Sequence, residues 1–160
     1  MATYCKALRM NVIAWSQNLT EERCAEMGVK KVSKDELMAQ SDAISIHLVL
    51  SPRSRGLVGA DDIAKMKKGA ILINTSRGPI VDEKALIAAL SSKSIGGAGL
   101  DVFDVEPLPL DHPFRKMDNV VITPHLGYVS QQNYQHYFPD IVDDIRKWLD
   151  GKPVRVIAPK

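Results

Sequence analysis

Short apolar runs alternate along the chain with segments of helical periodicity, the arrangement of a parallel α/β sheet covered on both faces. Residues 11–15 (NVIAW) predict a strand. Thr20 then offers an N-cap oxygen, Glu21 and Glu22 favour the positive end of a helix, and Gly28 is placed to close it in the left-handed conformation. Residues 29–32 predict a short strand. Ser33 with Glu36 forms a capping-box pattern for a brief helix to about Gln40, and residues 43–50 (AISIHLVL) predict a strand buried on both faces.

A loop over residues 51–59 precedes a predicted helix over 60–68, closed by Gly69, and a strand over 70–74 (AILIN). Residues 82–90 predict a helix with acids in its first turn and Ala85, Leu86, Ala89 and Leu90 on one stripe. Two more strands are predicted at 97–103 and 120–123. Between them, Pro107, Pro109 and Pro113 impose an ordered irregular loop. Ser130 caps a last, long helix whose second half aligns Ile141, Ile145, Trp148 and Leu149, with Pro139 expected to start or kink that half. The pattern gives about six parallel strands, with the loops at their carboxyl ends gathered on one edge, where ligands bind in such sheets.

Composition narrows the function classes. The 160 residues are 45% apolar and 25% charged, which excludes disorder and sets the expectation of one globular core. The net charge of +2 is dispersed, so no nucleic-acid footprint is expected. Cys5 and Cys24 lie far apart with no CxxC and no nearby His pair, which argues against a disulfide scaffold or a metal site. The longest apolar stretch, interrupted by Ser45 and His47, is too short to span a membrane, and the first ten residues (MATYCKALRM) lack the apolar core of a signal peptide. The expected setting is cytoplasmic.

Three strand-end loops concentrate reactive side chains: Asn74 to Pro79, Asp101 to Pro107 (DVFDVEP), and Thr123 to Gly127. An Arg, a Glu and a His meeting on one rim can bind an anion, orient an imidazole and move a proton. Singly, Arg77 reads equally as a partner for a carboxylate, Glu106 as solvated, and His125 as a turn cap after Pro124. Arg53 and Arg55 flank a turn and read as solvated, or as approaching a phosphate; the solvated reading is favoured. His112 and His136 show no partner pattern.

Taken together, ILINTSRGPIVDEKALIAAL, GGAGLDVFDVEPLP and NVVITPHLGY closely resemble the D-isomer-specific 2-hydroxyacid dehydrogenases, in the same order and at similar spacing. The resemblance implies that Arg77 binds the carboxylate and carbonyl of a small 2-oxo acid, that His125 is the acid/base, and that Glu106 hydrogen-bonds the imidazole and raises its pKa. It further implies that Asp101, Thr75 and Ser76 line the nicotinamide end of the cofactor, with Ser16, Leu50, Ser51 and Gly127 as further cofactor contacts and no metal. The implied fold is α/β, an incomplete Rossmann-like doubly wound parallel sheet lacking the first strand and the GxGxxG loop. Residues 1–128 would form a partial dinucleotide-binding domain, and 129–160 a C-terminal helix and tail that packs on a substrate domain outside these residues.

The sequence departs from the family pattern at three points. No GxGxxG occurs, since GGAGLDV has the wrong spacing and lies within a strand. The first ten residues resemble the last turns of the helix that follows that loop, and a sheet without its central strand has two unpaired inner edges, which favours a homo-oligomer. Ser16 occupies the place of the acid that bonds the adenine ribose in NAD-preferring units, and no Arg follows it directly, with Arg23 one or two turns into the helix. NADP is therefore permitted, with NAD slightly favoured. The expected function is hydride transfer between NAD(P)H and a 2-oxo acid, by a truncated chain of low activity alone; the alternative is a non-catalytic nucleotide- or partner-binding protein, a co-repressor-like chain or a remnant.

Overall fold

The computed structural model describes residues 1–157. Its helices are α1 (Ala2–Ala7), α2 (Glu21–Met27), α3 (Lys34–Gln40), α4 (Ala60–Ala64), α5 (Glu83–Ser91) and α6 (Gln131–Leu149), and its strands are β1 (Ile13–Ala14), β2 (Lys30–Lys31), β3 (Ala43–Ile46), β4 (Ile71–Asn74), β5 (Gly97–Leu100) and β6 (Val120–Ile122). All strand pairs are parallel. They form a two-stranded sheet, β1-β2, and a four-stranded sheet in the order β3-β4-β5-β6. The break falls between β1 and β3, where the sequence places the unpaired inner edges.

The helix starts follow the sequence closely because each is set by a local hydrogen bond. Thr20 accepts from Arg23 N–H at 3.2 Å, and Gly28 closes α2 at φ 60°. At α3 the Ser33 hydroxyl accepts from Glu36 N–H while the Glu36 carboxylate accepts from Ser33 N–H, a complete capping box. Asp82 and Ser130 likewise accept from Ala85 and Asn133 N–H. Each such cap contributes about 1 kcal/mol.

Element lengths differ from the expectation for tertiary reasons. Residues 47–50 do not extend β3, because Ile46 is level with Asn74, the last residue of its partner strand, and the Ile46 carbonyl accepts from Ser76 Oγ at 2.8 Å instead of continuing a ladder. Nor is β3 buried on both faces: Ile44 and Ile46 are buried, Ala43 is exposed and Ser45 half-buried. The helix expected over 60–68 stops at Ala64, as Lys65 and Met66 N–H bond back three residues to Asp62 and Ile63. Residues 101–103 likewise leave β5, and β1 and β2 shrink to two residues each. Pro139 lies inside α6, which runs on through it, so the expected start there is corrected.

The core packs between the four-stranded sheet and its helices. Leu72 of β4, Ile44 and Ile46 of β3, and Leu86 and Leu90 of α5 belong to one buried cluster with Ile80. Gly96 allows a tight approach, since a Cβ there would stand 2.5 Å from the Gly69 carbonyl oxygen. The chain divides into two compact units, residues 1–124 and a second beginning at His125. In the second, α6 buries none of its side chains; Ile141, Ile145 and Trp148 are 50%, 56% and 68% exposed. Among the described residues no helix is long and apolar enough to cross a membrane.

Candidate functional site

Parallel strands deliver their carboxyl ends to one edge, and the polar residues that follow them must satisfy one another there. Asn74 ends β4 and is buried at 1% exposure. Its Nδ2 donates to the Arg77 carbonyl at 2.9 Å, and its Oδ1 accepts from Ser76 N–H at 3.0 Å. One amide side chain thus pins the backbone of residues 74–77 into a fixed turn. Ser76 Oγ ties the same turn to the end of β3, and the Asn74 carbonyl accepts from Asp101 N–H at 3.0 Å, tying it to the end of β5.

The turn presents Arg77 in extended backbone conformation with its side chain exposed. The guanidinium Nη1 donates to the Ser76 carbonyl at 2.6 Å. Immediately after it, Gly78 packs against the next loop so closely that a Cβ would lie 2.1 Å from the Phe103 carbonyl carbon. The Arg77 turn therefore rests directly on the loop that carries Glu106. In that loop Glu106 Oε1 accepts from Phe103 N–H at 2.9 Å, and the Asp101 carboxylate, 5% exposed, accepts from the Thr123 hydroxyl at the end of β6. Thr75, Ser76, Arg77, Asp101 and Glu106 are accordingly gathered on one edge of the first unit.

His125 and Gly127 belong to the second unit. His125 adopts φ 58°, a left-handed backbone that is costly for a residue with a Cβ and that concentrates at functional positions. Its ring stands edge-on to Tyr128, with centroids 5.9 Å apart.

Away from this edge, a cleft of about 170 Å³ opens at the carboxyl ends of β1 and β3. Trp15, Ser16, Gln17 and Asn18 form one side; Arg53 and Ser54 lie among the residues after β3. Ser16, expected as a cofactor contact, is one of the residues lining this cleft. Leu50 and Ser51 do not line the cleft, but Ser51 N–H donates to Ser54 Oγ at 2.8 Å, and Ser54 Oγ donates to the Val49 carbonyl at 2.7 Å, a bonded corner that shapes its wall. Behind Trp15, the Lys34 ammonium lies 5.9 Å from the indole centroid and pairs with Asp62 at 2.8 Å.

Several side chains hold positions that sequence reasoning missed. His112, for which no partner was expected, meets Glu83 at 3.1 Å and accepts from Phe114 N–H at Nδ1, which makes it a local strut. Asp104, beside that pair, has its carboxyl held above the ordinary range, first by partial burial and then by the Glu83 charge, with Arg55 opposing. The clamp made by Asn74 was legible only as a polar residue ending an apolar run, a position where Asn commonly bonds nearby backbone.

Comparison with known proteins identifies the family. The family model described as "D-isomer specific 2-hydroxyacid dehydrogenase, NAD binding domain" matches residues 1–127. The chain is 41% identical over 155 residues to a D-3-phosphoglycerate dehydrogenase of Archaeoglobus fulgidus, covering 97% of this chain and 29% of that protein. It is 37% identical to a hydroxypyruvate reductase of Blautia hydrogenotrophica, covering 95% of this chain and 47% of the relative. A D-isomer specific 2-hydroxyacid dehydrogenase from Xanthobacter autotrophicus Py2, solved in complex with NADPH and MES, superposes with a TM-score of 0.71 at 40% identity, over 91% of this chain and 60% of that one. The chain thus spans half or less of the curated relatives' length, and by the family match and these likenesses it belongs to the D-isomer specific 2-hydroxyacid dehydrogenases, through their NAD binding domain.

Proposed function

We propose that the chain carries the NAD(P)-binding half of an oxidoreductase that interconverts a small 2-oxo acid and its D-2-hydroxy acid. The observation that carries this reading is the Asn74-clamped turn, which presents Arg77 beside the Asp101–Glu106 loop at the carboxyl edge of a parallel sheet. A guanidinium offers a planar fork that matches a carboxylate, so Arg77 binds and orients the 2-oxo acid. His125 gives its proton to the substrate oxygen, and Glu106 is the carboxylate assigned to orient it. The nicotinamide, when bound, supplies the hydride to the substrate carbon.

The donor chemistry fits a dinucleotide. Asp101 with Thr123, and Thr75 with Ser76, are polar groups at the end where an amide-bearing ring would be held; Ser16 and the Ser51–Ser54 corner serve the opposite end, and Gly127 is a further assigned contact. Residues 1–128 act as this partial domain, and 129–160 as the helix and tail that return to a substrate domain.

The 160-residue chain tested alone turns over slowly. It contains no Gly-rich turn to grip a pyrophosphate, and misplacement of the reacting centres by about 1 Å costs on the order of a hundredfold. The exposed strip Ile141, Ile145 and Trp148 recurs on one side of α6 and favours association between copies, to be read by sedimentation over a concentration series.

The test is oxidation of NADH and NADPH by high concentrations of the chain with glyoxylate, hydroxypyruvate or pyruvate. Slow oxidation that requires both the 2-oxo acid and Arg77 is expected. Complete absence of oxidation with every acid would overturn the catalytic reading in favour of a non-catalytic nucleotide-binding protein, and turnover near about 10 per second would overturn the low rate.

A further inference from the structure

Arg53 stands apart from the other cations around the cleft at the ends of β1 and β3. Lys34 is committed to Asp62 and to the Leu57 carbonyl. Arg23, the basic residue nearest to Ser16 in sequence, donates to Glu26 at 2.7 Å on its own helix. Arg53 lines the cleft, is exposed, and makes no hydrogen bond or ion pair among the described residues. Among those residues no carboxylate lines the cleft; its polar lining is Ser16, Gln17, Asn18 and Ser54.

The chemistry of this lining is specific. Trp15 supplies an aromatic surface, and Leu48 and Leu57 add apolar contact, which together suit a purine. Ser16, Gln17 and Asn18 supply neutral hydroxyl and amide donors. A carboxylate after β1 would accept from the ribose hydroxyls and repel a phosphate there; Ser16 does neither. With a positive fork in the cleft lining and no acid among the lining residues to neutralise it, the surface is complementary to a dianion.

Resting on the dinucleotide reading proposed above, we infer that Arg53, with Ser16 to Asn18 lining the same cleft, forms a recognition point for a phosphate on the adenosine ribose 2′ position, so that this chain selects the 2′-phosphorylated dinucleotide. The selection inferred here runs opposite to the slight lean of the sequence toward NAD, because Arg53 comes from the loop after β3 and not from the residues directly after β1. Arg53 here is a specificity residue and takes no part in the reaction.

Binding of small nucleotides tests this without turnover. The chain has two tryptophans, so a W148F background leaves Trp15, in the cleft wall, as the sole indole reporter. Adenosine, adenosine 2′-monophosphate and adenosine 5′-monophosphate are titrated against its fluorescence. The 2′-phosphate is expected to bind at least about tenfold tighter than adenosine, the order of a charge-assisted hydrogen bond. That advantage should vanish in Arg53→Ala, survive in part in Arg53→Lys, and shrink in about 0.3 M salt. Equal affinity for adenosine and the 2′-phosphate, an advantage that persists in Arg53→Ala, or equal binding of the 5′-phosphate would overturn the inference and leave the nucleotide site standing. No response to any of the three would remove both.

Discussion

The buried side-chain amide of Asn74 donates to the carbonyl of Arg77 at 2.9 Å, closing a turn around the residue proposed to hold the substrate carboxylate. A buried amide with its donor and acceptor both used cannot be shortened without stranding backbone groups. Asn74→Ala removes both bonds, stranding Ser76 N–H and leaving the Arg77 carbonyl only the Ile80 N–H at 3.3 Å. The expected cost is about 1–3 kcal/mol of stability, read from a urea midpoint, with weaker 2-oxo acid binding. Asn74→Asp should cost at least as much, because it sets a carboxylate oxygen against the Arg77 carbonyl.

Gly78 supports the same turn from the other side. An added methyl would meet the Phe103 carbonyl carbon, its oxygen and Asp104 N at 2.1, 2.2 and 2.6 Å. Backbone cannot rotate out of the way as a side chain can, so Gly78→Ala must move the 101–106 loop. A loss of stability of about 1–3 kcal/mol is expected, with a larger loss of activity than of stability. Wild-type activity in this variant would show that the contact between the two loops does not position Arg77.

His125 and Arg77 have separable kinetic signatures under the proposed roles. His125→Ala should lower the chemical step by about 10²–10⁴ while leaving the KM for the 2-oxo acid close to its original value. Arg77→Lys keeps the charge and loses the planar fork, so KM should rise along with a fall in kcat. Single-turnover rates of NADH oxidation over a range of hydroxypyruvate concentrations separate the two.

Asp104 links stability to pH. Its carboxyl is held above the ordinary value of 3.8 by partial burial and the neighbouring Glu83 and Asp82 charges, against Arg55 and His112. The folded chain therefore binds this proton more tightly than the unfolded chain does. The associated stability is fully present below the ordinary value and is lost as pH rises through the raised one. Asp104→Asn should raise the Tm at about pH 7 and leave it unchanged at about pH 3; equal shifts at both would show that the effect is not the titration of this group.

The sequence by itself determined the local features. Helix starts at Thr20, Ser33, Asp82 and Ser130 were legible because a cap is closed by residues three apart, and the alternation of strands and helices identified a parallel sheet. Three long motifs in register carried the family as well. Tertiary structure decided where strands end, since β3 stops when its neighbour β4 runs out of partners and Ser76 takes the next carbonyl. It also decided which side chains meet across the fold. The Gly78 contact with Phe103, the Glu83–His112 strut and the presence of Arg53 and Ser16 in one cleft all join segments whose separation or direction no local pattern encodes. A hydrogen bond between neighbours in sequence is written in residue types, whereas a contact between distant segments depends on the sheet order and on how each loop leaves its strand.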